Sequence, residues 1–419
     1  MSLRNRELFN LLVVGVLTGI GFASVYIARQ AEVSTASLSY ALFFLALYLA
    51  AHVVARYAVP YADPYLLPLA ALLTAIGLTM IYRLNPTDAF RQGLWIVIGV
   101  AVFAATLLVL RDDYRVIERY KYLLGFGAVA LLFLPGLPVV GQTVNGARLW
   151  IHLGPLEFQP GELAKIMLIA FLAGYLREKR EVLAQGSAKA IGPLLVVWGA
   201  AMLVLVVSND LGSALLYFGI FLAMLYVATA RLTYVLAGVA LFLIGSAGAY
   251  EVVGHVRERV AIWLDPWKTE HTSGYQLVQS TFSIGNGHFG GTGLGKGTFE
   301  TTAGLPLIPY LNTDFIYSAL AQELGLVGCA AVVLLYMLFC LRGFRAALLA
   351  EDGFSKLLAV GLTFGFALQT FIIVGGILRV IPLTGITLPF ISYGGSSIVA
   401  NFILLGLLLL VSNHAQEPR

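Results

Sequence analysis

Asp314 stands in Tyr310-Leu-Asn-Thr-Asp-Phe-Ile-Tyr317, where a long polar connection runs into an apolar stretch. A carboxylate at such an entrance can take a proton from a substrate hydroxyl while a lipid-linked remainder stays in the bilayer. The position also suits a helix start, for which Thr313 or Asp314 would be a good N-cap. The two roles are compatible.

Further polar residues lie inside or against apolar segments: Glu162, Lys165, Asp210, Glu323 and Gln369. Intramembrane ionisable groups are costly and mark a site that faces a cavity or a partner charge. Glu162 and Lys165 are three residues apart, share a helix face, and also read as a plain i, i+3 ion pair. The stretch Gly285-Asn-Gly-His-Phe-Gly-Gly-Thr-Gly-Leu-Gly-Lys-Gly297 contains a G-x-x-x-x-G-K pattern from Gly290 to Lys296. Gly297 replaces the Ser or Thr that would hold magnesium, and neither strand nor helix frames the pattern. It reads as a turned loop that lets backbone approach a ligand, with Lys296 near a phosphate. His288 has no companion at metal-ligand spacing and reads as a surface residue. Ile381-Pro-Leu-Thr-Gly-Ile-Thr-Leu-Pro-Phe-Ile-Ser-Tyr-Gly-Gly-Ser-Ser397 breaks up two apolar runs with prolines, glycines and hydroxyls. Irregular backbone at membrane depth persists only when buried in protein or lining a cavity, so this stretch reads as a structural hairpin or, given its density of donors, as a headgroup-facing rim.

The elements that must position these groups follow from composition. Of 419 residues, 59% are hydrophobic and 11% charged, against about 25% charged in soluble domains. A water-soluble fold is excluded. An all-α polytopic membrane protein is expected, with about twelve spans near 8–28, 39–58, 65–82, 93–110, 121–140, 160–177, 191–207, 210–229, 232–250, 315–341, 356–378 and 388–412. Each comes near the roughly 20 residues a helix needs to cross a bilayer. The first run is longer than the about 7–15 residues of a signal-peptide core, so it counts as a span. The 44 glycines and 15 prolines fit spanning helices, where both are frequent. Cys329 and Cys340 share one apolar segment about three turns apart, too far for a disulfide. A net charge of +4 without clustering excludes nucleic-acid binding.

With a cytoplasmic N-terminus, 16 of the 26 Lys and Arg fall on the inner side, including Arg111, Arg115, Arg119, Lys121, Arg177, Lys179, Arg180 and Lys189. Short outer connections carry Arg29, Arg83, Arg91, Arg148 and Arg379. This asymmetry predicts both termini inside. The segment 251–314 then becomes a long extracytoplasmic loop, the only connection large enough to hold a folded element. Loops of that length are usually functional.

Several blocks resemble those of the shape, elongation, division and sporulation (SEDS) family of RodA, FtsW and SpoVE. They are Asn145-Gly-Ala-Arg-Leu-Trp150, Gln159-Pro-Gly-Glu-Leu-Ala-Lys165, Asp210-Leu-Gly212, Gly274-Tyr-Gln-Leu-Val-Gln-Ser280, Asn312-Thr-Asp-Phe-Ile316, Glu323-Leu-Gly325 and Pro382 to Ser397. The likeness runs from about 65 to 412 and is closest to RodA-like members of actinobacterial type. It implies a ten-helix core within 61–419, preceded by two extra helices in 1–60. It further implies a peptidoglycan glycosyltransferase that joins the growing glycan strand to lipid II on the outer face and releases undecaprenyl diphosphate. Asp314 matches the family's essential aspartate, the proposed general base for the acceptor 4-hydroxyl, with or without a divalent cation, magnesium or manganese. Arg148, Lys165 and Lys296 are expected to offset pyrophosphate charge. Glu162, Gln279, Ser280, Thr313, Ser392, Tyr393, Ser396 and Ser397 complete the expected substrate-binding set. Expected partners are lipid II, membrane lipids and a class B penicillin-binding protein, since the chain has no transpeptidase signature. The chain departs from the family's usual residues at Gly161, Ser208-Asn209, Asn312 and Ile373. A lipid II flippase is the alternative reading and would spread charges along a path through the bilayer; here they gather at the outer rim. A third role, a scaffold that activates a penicillin-binding partner, is compatible with catalysis.

Overall fold

Apolar runs bounded by strong start signals fold as helices because the bilayer leaves backbone polar groups no partner but each other. Asn85-Pro86 shows the rule locally. The Asn85 side chain accepts from the amides of Thr87 and Asp88, and Pro86 occupies the first helical turn, where no amide is needed. Asp352 caps its helix in the same way through Ser355 N, and Asp210 through Ser213 N. Each such cap is worth about 1 kcal/mol.

The computed structural model describes residues 2–30, 35–137, 140–144, 147–153, 156–185, 188–301 and 305–417. Fifteen α-helices follow one another in the described chain. The first six are α1 (Leu3–Gln30), α2 (Thr35–Ala58), α3 (Leu66–Leu84), α4 (Pro86–Leu110), α5 (Val116–Arg119) and α6 (Lys121–Phe133). Four more, α7 (Pro160–Ala184), α8 (Ala188–Val207), α9 (Leu211–Thr229) and α10 (Leu232–Val252), lead to the helices α11 (Gly254–Leu264) and α12 (Tyr275–Asn286) of the long 251–314 connection. The chain closes with α13 (Ile316–Leu349), α14 (Gly353–Ile377) and α15 (Gly395–Gln416). Every expected span coincides with a helix. Nine helices among the described residues are long and apolar enough to cross a membrane by themselves. The short α6, the apolar part Ile191–Val207 of α8 and the charge-bearing α7 account for the other three. The chain is an integral membrane protein.

One expectation needs correction. The connection 251–314 is not the only folded one, because strands β1 (Gly141–Val144), β2 (Ala147–Leu153) and β3 (Leu156–Phe158) form an antiparallel sheet between α6 and α7. Its short strands carry no long apolar run, so hydropathy gave no sign of it; Asn145 and Gly146 lie outside the described residues. The segment 251–314 does hold folded elements, α11, α12 and a 3-10 turn at Pro266–Thr269.

The core packs α15 against α4, α13 against α14, and α7 against α6, α9 and α14. The N-terminal pair docks through α1 on α3 and α2 on α4. At one end of the bundle a buried cluster ties this pair down: Glu7 accepts from Arg4 at 2.5 Å and meets His52 Nδ1 at 2.6 Å, while Arg4 also donates to the Ala62 carbonyl. Tyr61 N donates to Asn413 Oδ1 at 2.8 Å at this same end, so the α2–α3 connection is tied to the end of α15. Asp314 belongs to the opposite end, with Asp88, Asp210, Glu162 and Ser396.

Inside α13 the helix breaks at Gly325, where φ is +67° and ψ −168°. The stretch His288–Gly297 of the 251–314 connection fills the break and takes up the backbone groups it frees. Leu326 N donates to His288 O at 3.1 Å, Val327 N to Phe289 O at 3.2 Å, and Gly293 N to Glu323 O at 3.0 Å. A Cβ on Gly325 would fall 2.2 Å from Gly291 N, so this break requires glycine both for φ and for space.

Candidate active site

The N-cap of α13 is Phe315, which makes no side-chain capping bond, so neither Thr313 nor Asp314 caps the helix. The capping reading is thereby replaced: Asp314 sits in the turn before the helix, half-buried. That turn is held from below and from the side. Thr313 Oγ1 donates to Tyr310 O at 2.9 Å, and Asn312 Nδ2 to Asp88 Oδ2 at 2.8 Å. Ser392 Oγ donates to Thr313 O at 2.6 Å, and Tyr393 N to Asn312 O at 2.9 Å. Gln92 then fixes the Ser392–Gly394 backbone, donating to Ser392 O at 3.2 Å and accepting from Gly394 N at 3.1 Å. The hydroxyl-rich stretch 381–397 therefore acts first as the backing of the turn that presents Asp314. Ser392 is buried and serves through that turn, while Tyr393 is half-buried beside Asp88 and Arg91.

The facing wall is the start of the same stretch. Gly385 is exposed with φ +74°, and a Cβ there would stand 3.3 Å from Asp314 Oδ2. Arg259 of α11 donates through one nitrogen to Leu383 O at 3.4 Å and Thr384 O at 3.1 Å. Burial pushes the Asp314 carboxyl up to about 6, with the Arg259 charge and Thr313 pulling the other way. Burial likewise raises Asp210, opposed by Ser213 and by the Arg259 charge, with Glu162 adding to the rise. A carboxylate poised near neutrality is what a general base at physiological pH requires.

Beside this wall lies a dense polar cluster. Lys165 Nζ donates to Glu162 Oε2 at 2.8 Å and to Gln369 Oε1 at 2.6 Å, and all three residues are buried. Gln369 Nε2 donates to Thr387 O at 2.8 Å. Thr387 Oγ1 reaches Ser397 Oγ at 2.8 Å and Glu162 Oε1 at 3.3 Å. Ser396 Oγ accepts from Gln159 N at 2.7 Å, at the start of α7. The ion pair is thus real and joined to Gln369, which fixes α7, α14 and the 381–397 stretch to each other.

Among the described residues no three His, Cys, Asp or Glu side chains converge as a metal cage. Asp314 has an arginine beside it instead of a second carboxylate, a donor set that does not build a resident divalent-cation site.

A family model described as cell cycle protein, that of FtsW, RodA and SpoVE, matches residues 64–417. The chain belongs to this family. The peptidoglycan glycosyltransferase RodA of Mycobacterium tuberculosis is 41% identical over 436 residues, which takes in 99% of this chain and 92% of that protein. The probable peptidoglycan glycosyltransferase FtsW of Geobacter metallireducens is 34% identical over 357 residues, 83% of this chain and 93% of that one. A solved structure described as structural coordination of polymerization and crosslinking by a peptidoglycan synthase complex superposes with TM-score 0.71. Its identity is 29%, over 85% of this chain and 99% of its own. RodA of Thermus thermophilus superposes with TM-score 0.61 at 26% identity, covering 85% and 98%. The full-length match to a mycobacterial RodA agrees with the actinobacterial pattern, and the family model begins just past the N-terminal helix pair.

Within this family frame, Asp314, Thr313, Ser392 and Tyr393 come together in one place, with Glu162, Lys165, Ser396 and Ser397 adjoining through Thr387. Four other expected residues lie elsewhere in the network. Ser280 is fully buried, its hydroxyl 2.6 Å from Ser318 Oγ, and holds α12 against α13. Gln279 is half-buried on α12. Arg148 is exposed on β2, with one nitrogen 3.5 Å from Gly136 O. Lys296 is exposed on the glycine-rich stretch, whose backbone amides are taken by a carboxylate of the protein itself. Gly295 N donates to Glu323 Oε2 at 2.8 Å and Gly297 N to Glu323 Oε1 at 3.1 Å, while Arg83 meets Glu323 Oε1 at 3.2 Å. The cradle that resembles a phosphate loop is therefore filled by Glu323. Reading by position missed Arg259, Gly385 and Thr387 as parts of the site. Arg259 is one of several charged residues in the 251–314 connection, and nothing in its sequence neighbours marks its reach to residues 383 and 384.

Proposed function

We propose that the chain polymerises lipid II at the end of the bundle that carries Asp314, and that this end faces away from the cytoplasm. The chain is a peptidoglycan glycosyltransferase of the RodA, FtsW and SpoVE family. In the proposed reaction Asp314 takes the proton of the acceptor's sugar 4-hydroxyl. That oxygen bonds to the donor's anomeric carbon, and the bond from this carbon to undecaprenyl diphosphate breaks. The observation that carries the reading is the state of Asp314. It is half-buried against the exposed Gly385, free of any capping bond, and raised to about 6 by burial.

The sidedness follows from charge. The end opposite Asp314 carries Arg111, Arg115, Lys121 and Arg177, and basic residues favour the cytoplasmic side. Both termini are on that side. The leaving pyrophosphate brings its own negative charge to a site with one facing arginine. A divalent cation, magnesium or manganese, would have to arrive with the pyrophosphate, since the residues around Asp314 do not themselves build a site for it. The polymerised strands require cross-linking, and the sequence carries no transpeptidase signature, so a class B penicillin-binding protein is the proposed partner.

The test is polymerisation of purified lipid II by the solubilised full chain with its cognate class B penicillin-binding protein. Wild type should yield glycan chains and Asp314→Asn none. Equal product from both variants would remove Asp314 as base, and lipid flipping in vesicles without any product would favour a transporter.

A further inference from the structure

The outer-loop helix α11 buries no residue fully, yet one of its side chains reaches the site. Arg259 crosses to the carbonyls of Leu383 and Thr384, at 3.4 and 3.1 Å, immediately before the glycine that touches Asp314. A second clamp fixes the same helix to the same stretch. Trp263 Nε1 donates to Arg379 O at 2.9 Å, and Arg379 returns bonds to Trp263 O at 3.1 Å and Leu264 O at 3.2 Å. From the other side Gly212, in the first turn of α9, packs so closely on Thr384 that a Cβ would fall 2.8 Å from the Thr384 Cβ. The segment Leu383–Gly385 is therefore pinned between α9 and α11, with Asp314 against its end. Two carboxylates, Asp314 and Asp210, feel the Arg259 charge, and Glu162 faces Asp210.

We propose that Arg259 is a positioning residue for Asp314: its guanidinium fixes the Leu383–Gly385 backbone against the carboxylate and supplies the positive charge that faces it among the described residues. Arginine suits this task because one terminal nitrogen of its long side chain reaches both carbonyls and the guanidinium never loses its charge. The inference rests on the reading of Asp314 as base. Thr313, on the neighbouring turn, adds a hydrogen bond to the carboxylate but no charge. Removing the Arg259 charge leaves burial unopposed by any cation and so raises the pH at which Asp314 ionises.

The experiment measures kcat and KM for lipid II against pH, with the full chain and its penicillin-binding partner in nanodiscs, for wild type, Arg259→Gln, Arg259→Lys and Asp314→Glu. Melting curves for each variant establish that it folds. The acid limb of kcat/KM should move upward by on the order of one pH unit in Arg259→Gln. Its plateau kcat should fall about tenfold, the equivalent of about 1.4 kcal/mol, with KM little changed. Arg259→Lys should restore the position of the limb while leaving kcat low, because the lysine ammonium ends one bond short of the guanidinium nitrogen that holds both carbonyls. An unmoved limb in Arg259→Gln, or a loss confined to KM, overturns the positioning role. The Asp314→Glu variant separates the two readings. If the acid limb shifts there but not in Arg259→Gln, only the role of Arg259 falls; if it shifts in neither, the limb does not belong to Asp314 and the base assignment falls.

Discussion

Gly385 approaches Asp314 so closely that a single added methyl group would stand 3.3 Å from the carboxylate oxygen Oδ2. The backbone at Gly385 also has φ +74°, a conformation that L-residues adopt at a cost of about 1–2 kcal/mol. The Asp314 carboxylate is thus framed by a residue that has no side chain to withdraw.

Gly385→Ala should therefore impair catalysis more than folding. We expect kcat for lipid II polymerisation to fall at least about tenfold, or about 1.4 kcal/mol in barrier, with Tm lowered by a few degrees. Unchanged turnover would show that Gly385 does not limit access to Asp314.

The titration of Asp314 makes a second prediction whose sign is set by its direction. Its ordinary value of 3.8 applies in the unfolded chain, and the folded value is about 6. Between these the folded state holds the extra proton, so stability falls as pH rises through that window and stays lower above it. Asp314→Asn should then melt higher than wild type at neutral pH and equal to it in acid, while making no glycan. Wild-type polymerisation should decline as pH falls through about 6. Melting curves across pH check the first part and turnover the second.

The buried Lys165–Glu162 pair supports a double-mutant test. Lys165→Met leaves Glu162 with its charge unpaired, and breaking a buried pair in this way costs about 3–5 kcal/mol. Adding Glu162→Leu should recover most of that stability, since an apolar pair tolerates burial. Activity should stay low in both, because the links to Gln369 and Thr387 are lost. Full activity in the double variant would reduce the cluster to packing.

Glu323 offers a test remote from the reacting atoms. Its carboxylate accepts from Gly295, Gly297 and Arg83. Glu323→Ala removes the anchor of the stretch that fills the break in α13, at a cost of about 3–5 kcal/mol. Limited proteolysis should then cut between residues 285 and 301 in the variant at protease levels that leave wild type intact. Equal protection would mean that the backbone bonds across Gly325 hold the stretch alone.

The sequence by itself determined the membrane class, the number and order of the spans, and Asp314 as the residue to examine. Long apolar runs dictate helices wherever water is excluded, and position along the chain suffices to find a carboxylate at a span entrance. The short strands at Gly141–Phe158 escaped that reasoning, because three brief strands have no hydropathic period of their own. Only the tertiary structure decided what surrounds the carboxylate. Arg259 meets the carbonyls of residues more than a hundred positions away, and Glu323 fills the glycine cradle meant by appearance for a phosphate. Local pattern gives the type and spacing of side chains. Which of them meet depends on how the helices pack, and that is set by the whole bundle at once.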